Sequence, residues 1–193
     1  MLDEKIQKSN RRKFLILLIL MCSPVVVSYL LYFMDYKPEA TNYGELLTVQ
    51  KLSGKGSNQS DNTIFRIKDL HGKWILVTVD SGNCDEVCQL KLFHMRQVRL
   101  VQNTEKHRIE RLWLINDDVK PDPALVEKYD GTYFISAKDS ELLTMIPSNE
   151  TQTKHIYLID PLGNLMMRFP ENLDPTKMGK DIKRLLHVSQ VEH

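Results

Sequence analysis

Ser81-Gly82-Asn83-Cys84-Asp85-Glu86-Val87-Cys88 lies between two apolar stretches. The first, Trp74 to Val79, is a hydrophobic run that reads as a buried strand. In the second, Val87, Leu90, Phe93, Val98 and Val101 recur at the spacing of one helix face. Two cysteines therefore stand where a strand turns into a helix. Four helical residues rise about 6 Å, so both sulfurs can point the same way at a Cα separation near the upper end of what a disulfide allows. The helix start carries unpaired N–H groups and the positive end of the helix dipole, both of which favour thiolate over thiol. Asp85 and Glu86 oppose that effect and favour a bound cation instead. The plain alternative is a pair of buried structural cysteines.

The rest of the composition narrows the field. The chain has 193 residues, a formal net charge of +1 and three cysteines. That length supports one cored domain plus further segments. The balanced charge gives no overall basic field that would argue for nucleic acid. Cys22 lies far from the other two inside an apolar run, so the chain is no disulfide-stapled miniprotein. A structural zinc site needs four ligands with recognisable spacing, and only one pair is present.

Phe14 to Phe33 is uncharged, and its 20 residues are the length a helix needs to cross the hydrocarbon core. Lys5, Lys8, Arg11, Arg12 and Lys13 crowd its N-terminal side, while Asp35, Lys37 and Glu39 nearly cancel on the other. The positive-inside rule predicts a cytoplasmic N-terminus and an exported body, periplasmic in a bacterial cell. Tyr29, Tyr32 and Tyr36 suit the outer interface, and Pro24 is tolerated in a spanning helix. No small-x-small site near residues 30 to 40 supports a cleaved signal peptide, so an uncleaved anchor is expected, in contact with membrane lipid. Four parts follow: a basic tail over 1–13, an anchor over 14–33, a connector and polar loop over 34–62, and a domain over 63–193.

Within the domain, Phe65-Arg66-Ile67 alternates like a short strand, and Arg111 to Ile115 is a second apolar strand. Asp122 is placed to cap a helix through Tyr129. Tyr133 to Ser136 reads as a strand and Ser140 to Met145 as a short helix. His155 to Ile159 and Leu165 to Phe169 form a hairpin about Asp160-Pro161-Leu162-Gly163-Asn164. Lys177 to Val188 is helical, with Met178, Ile182, Leu185 and Leu186 on one side. This order predicts an α/β fold: a mixed central sheet flanked by helices on both faces. Arg96, Arg99, Lys106, Arg108 and Arg111 read as a solvated face along and after the main helix.

A cysteine pair after a strand, within this order, resembles the thioredoxin superfamily. With three residues between the cysteines, it resembles the Sco family, the membrane-anchored copper chaperones and thiol reductases that help build the binuclear copper centre of cytochrome c oxidase. Leu70-His71-Gly72-Lys73-Trp74 is similar to the family's lead into the core strand, Ser81 to Cys88 to its cysteine loop, and Leu114 to Pro121 to its aspartate-proline loop. Tyr157 to Gly163 is similar to its hairpin. The resemblance implies a thioredoxin-like domain whose Cys84 and Cys88 exchange disulfides with exported thiols of an oxidase subunit or a copper carrier. It also implies copper as a possible cargo.

Three departures from the family pattern stand out. Asp85 and Gln89 replace the prolines that follow the cysteines. Gln152 stands where the family has its copper-ligating histidine, and His155 lies three residues further on, an odd shift that turns a strand residue to the opposite face. The polar stretch Gly54 to Asn62 has no counterpart. Retention of both cysteines without that histidine favours thiol chemistry first. A copper(I) site of Cys84, Cys88 and His155 comes second, and a scaffold that uses only the fold third. His94 falls about 9 Å along the helix from Cys88 and on another side. His71 reaches the pair only through folding not legible here, and His107, His187 and His193 read as surface.

Overall fold

The computed structural model describes residues 2–33, 42–147 and 151–189. Two compact units divide at residues 41 and 42. The first holds helix α1, Leu2–Phe33, with Pro24 inside it. Its stretch Arg11–Leu30 is long and apolar enough to cross a membrane. Tyr36 and the flanking charges after the span lie outside the described residues, as do 34–41 of the expected connector and His193.

The second unit is built on one eight-stranded sheet. In chain order the strands are β1 (Glu45–Lys51), β2 (Gly56–Asn58), β3 (Ile64–Phe65), β4 (Trp74–Asp80), β5 (Ile109–Ile115), β6 (Thr132–Ser136), β7 (Ile156–Ile159) and β8 (Asn164–Phe169). The helices are α2 (Glu86–Leu100), α3 (Pro123–Lys128), α4 (Glu141–Thr144) and α5 (Pro175–Val188). Across the sheet the order is β1-β8-β7-β4-β5-β6-β2-β3. β4, β5 and β6 are parallel, which requires the crossovers that α2 and α3 supply. β7 runs antiparallel to β4 and turns into β8.

Every residue of β4 is buried, as its mainly Val/Ile/Leu composition demands for a central strand covered on both faces. Alternation along it feeds two cores. Ile75, Val77 and Val79 join Leu112, Leu114, Tyr157 and Ile159 on one face. Trp74 and Leu76 join Ile109, Leu158, Met167 and Phe169 on the other, under Met95 and Val98 of α2 and Met178, Ile182 and Leu186 of α5. The first face is covered by Leu52, Phe65, Ile67, Leu70 and the short α4 rather than by long helices. A third cluster, around the fully buried Trp113, contains both Cys84 and Cys88 with Leu92, Ile115, Tyr129 and Phe134.

Several expectations shift. The stretch read as connector and loop over 34–62 contains β1 and β2. β2 pairs with β3 and β6, so the polar insertion extends the sheet instead of hanging free. Asp181, itself buried, accepts the Tyr43 and Gly44 N–H groups at 2.8 and 2.9 Å and pins the domain's start to α5. The short strand is Ile64–Phe65, and Ile67 begins a 3₁₀ turn.

The buried face of α2 is the largest correction. It is Cys88, Lys91, Leu92, Met95 and Val98. Of the predicted face only Val98 is buried. Val87, Leu90, Phe93 and Val101 are exposed to 53, 53, 46 and 60%. Two apolar stripes share this helix, and the periodicity picked the outer one. Arg111 also departs from the solvated reading. It is 5% exposed, and its Nη2 donates to the Asp130 carbonyl at 2.6 Å.

Candidate functional site

The site lies at the C-terminal end of β4. There the chain must leave a fully buried strand and start a helix within five residues. Cys84 takes a left-handed conformation, φ +43°, which few residues other than glycine adopt. Its N–H donates to the Ser81 carbonyl at 3.1 Å, and the Gln89 side-chain amide donates to its carbonyl at 3.2 Å. Gln89, in the place of a proline, is thus a clamp on the cysteine turn, and its own carbonyl accepts from the Tyr129 hydroxyl at 3.1 Å.

Asp85 is the N-cap of α2, and its Oδ1 accepts the Cys88 N–H at 2.9 Å. Its charge is partly spent on the helix start, as a capping carboxylate's is. Cys84 therefore stands just ahead of the helix and Cys88 in its first turn. This shortens the Cα–Cα separation to 5.1 Å, below the separation expected for two helical residues. The sulfurs are bonded as a disulfide.

The two cysteines are 3 and 1% exposed. Yet both line a cleft of about 380 Å³, whose walls include Asn83, Val87, Asn116, Thr153, Lys154 and Glu171. The disulfide is the floor of that cleft. Three neighbouring segments shape it.

The first is the 116–120 loop. Gly82 and Val119 donate their N–H groups to Asp117 Oδ1 at 3.0 and 3.1 Å. Burial works against the Asp117 carboxylate, but the Gly82 N–H, the Ser81 hydroxyl and the Val119 N–H together hold it below the usual carboxylate range. The approach is so close that a Cβ on Gly82 would sit 1.8 Å from the Val119 carbonyl oxygen.

The second is a buried ion pair. Asp80, the last residue of β4, meets Lys91 of α2 at 2.7 Å, each side chain 8% exposed. Thr78 Oγ1 donates to the same carboxylate at 2.7 Å. Burial pushes the Asp80 carboxyl up and the Lys91 ammonium down, each against the pull of its partner. Lys91 also donates to the Thr153 carbonyl. One ammonium thus joins the strand before the cysteines, the helix after them and the loop across the cleft. Nothing in the expectations included this pair. The signal for it was slight: an aspartate ending an apolar strand and a lysine one turn beyond Cys88 on the same face.

The third is the 151–155 loop. Gln152 sends its amide to the Leu143 and Ile146 carbonyls, the second at 2.7 Å, and so closes the end of α4. Next to it, Thr153 and Lys154 line the cleft.

Of the three candidate site residues, Cys84 and Cys88 come together. His155 does not join them. It is half-buried just before β7 with Nδ1 2.8 Å from the Phe169 carbonyl, and it is absent from the cleft lining. Among the described residues, no group of three His, Cys, Asp or Glu side chains is placed to share a metal ion. His71 is exposed, with its ring near Gly163, and His107 and His187 are exposed.

Residues 74–189 match the family model described as transmembrane-like, thioredoxin-like, C-terminal domain. No curated protein matches the sequence. Among solved structures, the chain is similar to yeast Sco1 with copper bound (16% identity, TM-score 0.58, covering 73% of this chain and 94% of that one). It is similar to a thiol:disulfide interchange protein from Bacteroides sp. (14%, 0.56, 77 and 95%). It is also similar to BsSco, described with a disulfide switch and as a member of the Sco family of cytochrome c oxidase assembly proteins (17%, 0.51, 79 and 98%). At these identities the likeness is one of fold.

Proposed function

Because the chain belongs to the family of transmembrane-like, thioredoxin-like C-terminal domains, we propose that it is a membrane-anchored thiol–disulfide protein that assists cytochrome oxidase assembly, keeping the cysteines of a copper site reduced. The observation that carries this reading is the Cys84–Cys88 disulfide on the floor of an open cleft at a strand-to-helix turn. The basic flank before the span supports an N-terminus in the cytoplasm and a domain on the far side of the membrane. The Sco proteins of similar fold support the oxidase assignment.

In the reduced chain, the Cys84 thiolate attacks one sulfur of a client disulfide, and the other client sulfur leaves as a thiolate. Cys84 is assigned the attack because it stands just ahead of the helix start, whereas Cys88 lies within the first turn. The Cys88 thiolate then attacks Cys84 Sγ in the mixed disulfide and releases the second client sulfur. Two electrons pass to the client, and the two protons shed by Cys84 and Cys88 end on its thiols. The chain is left with the Cys84–Cys88 bond, and a dithiol reductant of the same compartment must restore it. In the test, reduced Cys88→Ser protein accumulates a mixed disulfide through Cys84 with exported proteins that carry a cysteine pair in the oxidised, disulfide form. Absence of any adduct defeats the reading.

Copper(I) as cargo is the second reading, favoured by the copper-bound protein of the same fold. The reduced cysteines would offer two soft donors. The third would have to be His155, which now faces the Phe169 carbonyl. Anaerobic copper(I) titration decides: stoichiometric binding that weakens in His155→Ala supports a three-ligand site, and unchanged binding removes His155 from it.

A further inference from the structure

α5 carries its exposed charge on one side. At about 100° per residue, Lys177, Lys180, Lys183 and Arg184 fall within an arc of about 120°, and all four are exposed. Met178, Ile182 and Leu186 fill the opposite side and join the core against the sheet. No exposed carboxylate of the helix interrupts the basic arc. Its single acid, Asp181, is 4% exposed and comes no nearer to Arg184 Nη1 than 4.0 Å. Asp174, the N-cap, directs its charge to the Thr176 and Lys177 N–H groups. Elsewhere basic side chains share their ground with acids: Lys51, Lys55 and Lys68 line one cleft with Asp139 and Glu141.

The chain that comes from the span enters the domain at this same helix. Asp181 accepts the Tyr43 and Gly44 N–H groups. The Tyr43 hydroxyl donates to the Asn172 carbonyl at 3.2 Å and accepts the Asp174 N–H at 2.7 Å. Lys177 Nζ, one of the basic arc, lies 5.5 Å from the centre of the Tyr43 ring. Phe33, the last residue of α1, and Tyr43 are ten positions apart, at most about 36 Å of extended chain. That length bounds how far the basic arc can stand from the surface the span crosses. We propose that the Lys177, Lys180, Lys183 and Arg184 face docks on anionic lipid headgroups of the bilayer that holds the chain's own anchor. The occupant is lipid because the tether keeps that surface at a high effective concentration, whereas an acidic protein must arrive by diffusion. Each cation at an anionic surface favours the docked state by roughly fivefold, and the attraction extends over about one Debye length, near 10 Å. No α5 residue lines the disulfide cleft, so docking uses none of its walls. The inference rests on the anchor reading and adds a second contact with the membrane.

Lysine acetylation of the full-length chain in nanodiscs, one copy per disc, tests this, with each site read by peptide mass. The discs are phosphatidylcholine alone, or phosphatidylcholine with about one third phosphatidylglycerol. Lys55 and Lys120, exposed elsewhere on the domain, serve as the internal reference. In the anionic discs, modification of Lys177, Lys180 and Lys183 is expected to slow by roughly threefold or more against that reference. Salt at about 0.5 M should restore it. Lys180→Glu/Lys183→Glu should abolish the protection of Lys177 without moving the unfolding midpoint, and the lipid and salt comparisons need no variant at all. Equal rates in the two lipids, or equal slowing of Lys55 and Lys120, overturns the docking face. Protection that persists in phosphatidylcholine or in high salt, or that survives the double variant, overturns it too. Protection seen in native membranes but not in anionic discs assigns the face to an acidic protein and overturns the proposal. A chain that does not enter discs defeats the anchor reading and the docking with it, while thiol exchange stands.

Discussion

Replacing Gly82 by alanine tests how tightly the cysteine loop is seated. The added Cβ would lie 1.8 Å from the Val119 carbonyl oxygen and 2.5 Å from its carbon. Both obstacles are backbone, so no side-chain rotation relieves the clash. The two loops must separate by roughly 1.5 Å to reach ordinary contact. That displacement breaks the 3.0 Å bond from the Gly82 N–H to the Asp117 carboxylate. A hydrogen bond to a charged group contributes about 1.5–3 kcal/mol, and forced overpacking costs about 1–3 kcal/mol. Because the loop is at an edge of the core and partly relaxes, a loss on the order of 3 kcal/mol is expected, a large share of a typical domain's stability. Denaturant unfolding of the full-length chain in detergent measures it, and hydrogen exchange at residues 81–84 locates it. A loss below about 1 kcal/mol, with exchange unchanged at the loop, would refute the claim that the 117–119 backbone seats the cysteine turn.

Four further outcomes follow from the same geometry. Lys91→Met strands the Asp80 carboxylate in the interior and should destabilise by about 3–5 kcal/mol, whereas Asp80→Asn/Lys91→Met should recover much of that, as read by unfolding midpoints. The disulfide closes a loop of only about five residues, so chain entropy predicts that reduction lowers stability by about 2 kcal/mol, measurable by unfolding with and without dithiothreitol. Asp117 has a depressed pKa in the fold; its contribution is therefore complete above its unfolded value of about 3.9 and lost as pH falls through the lower folded value. Amide exchange at Gly82 should accelerate over that acid range, and Asp117→Asn should remove the step. Gln89→Ala frees the Cys84 carbonyl and should speed exchange in the cysteine turn while leaving the α5 amides protected.

How much of this was legible in the sequence depends on whether a residue's role is local. The apolar run of β4, the cap Asp122, the hairpin at Asp160-Pro161-Leu162-Gly163 and the cysteine pair are set by short-range chemistry, and each formed near its expected place. β1 and β2 were missed because their burial is partial and their pairing distant. Gly56-Ser57-Asn58 has no strand character of its own and is held by Ser136, Ile135 and Phe65. Lys91 and Asp80 were missed because a charge in sequence reads as solvent-facing until a partner eleven residues away is brought to 2.7 Å.

The error on α2 has a different cause. A helix with apolar residues on two sides gives a periodicity that cannot say which side is core. Packing settled it in favour of Leu92, Met95 and Val98, which face Trp113 and the sheet. Had the outer stripe been buried instead, Cys88 would have turned away from Cys84, because the two stripes point in different directions around the helix axis. The same rotation that closes the disulfide therefore leaves Val87, Leu90 and Phe93 in solvent beside it. An exposed apolar stripe next to a reactive pair costs solubility. The misread face is thus one consequence of where the two sulfurs had to meet.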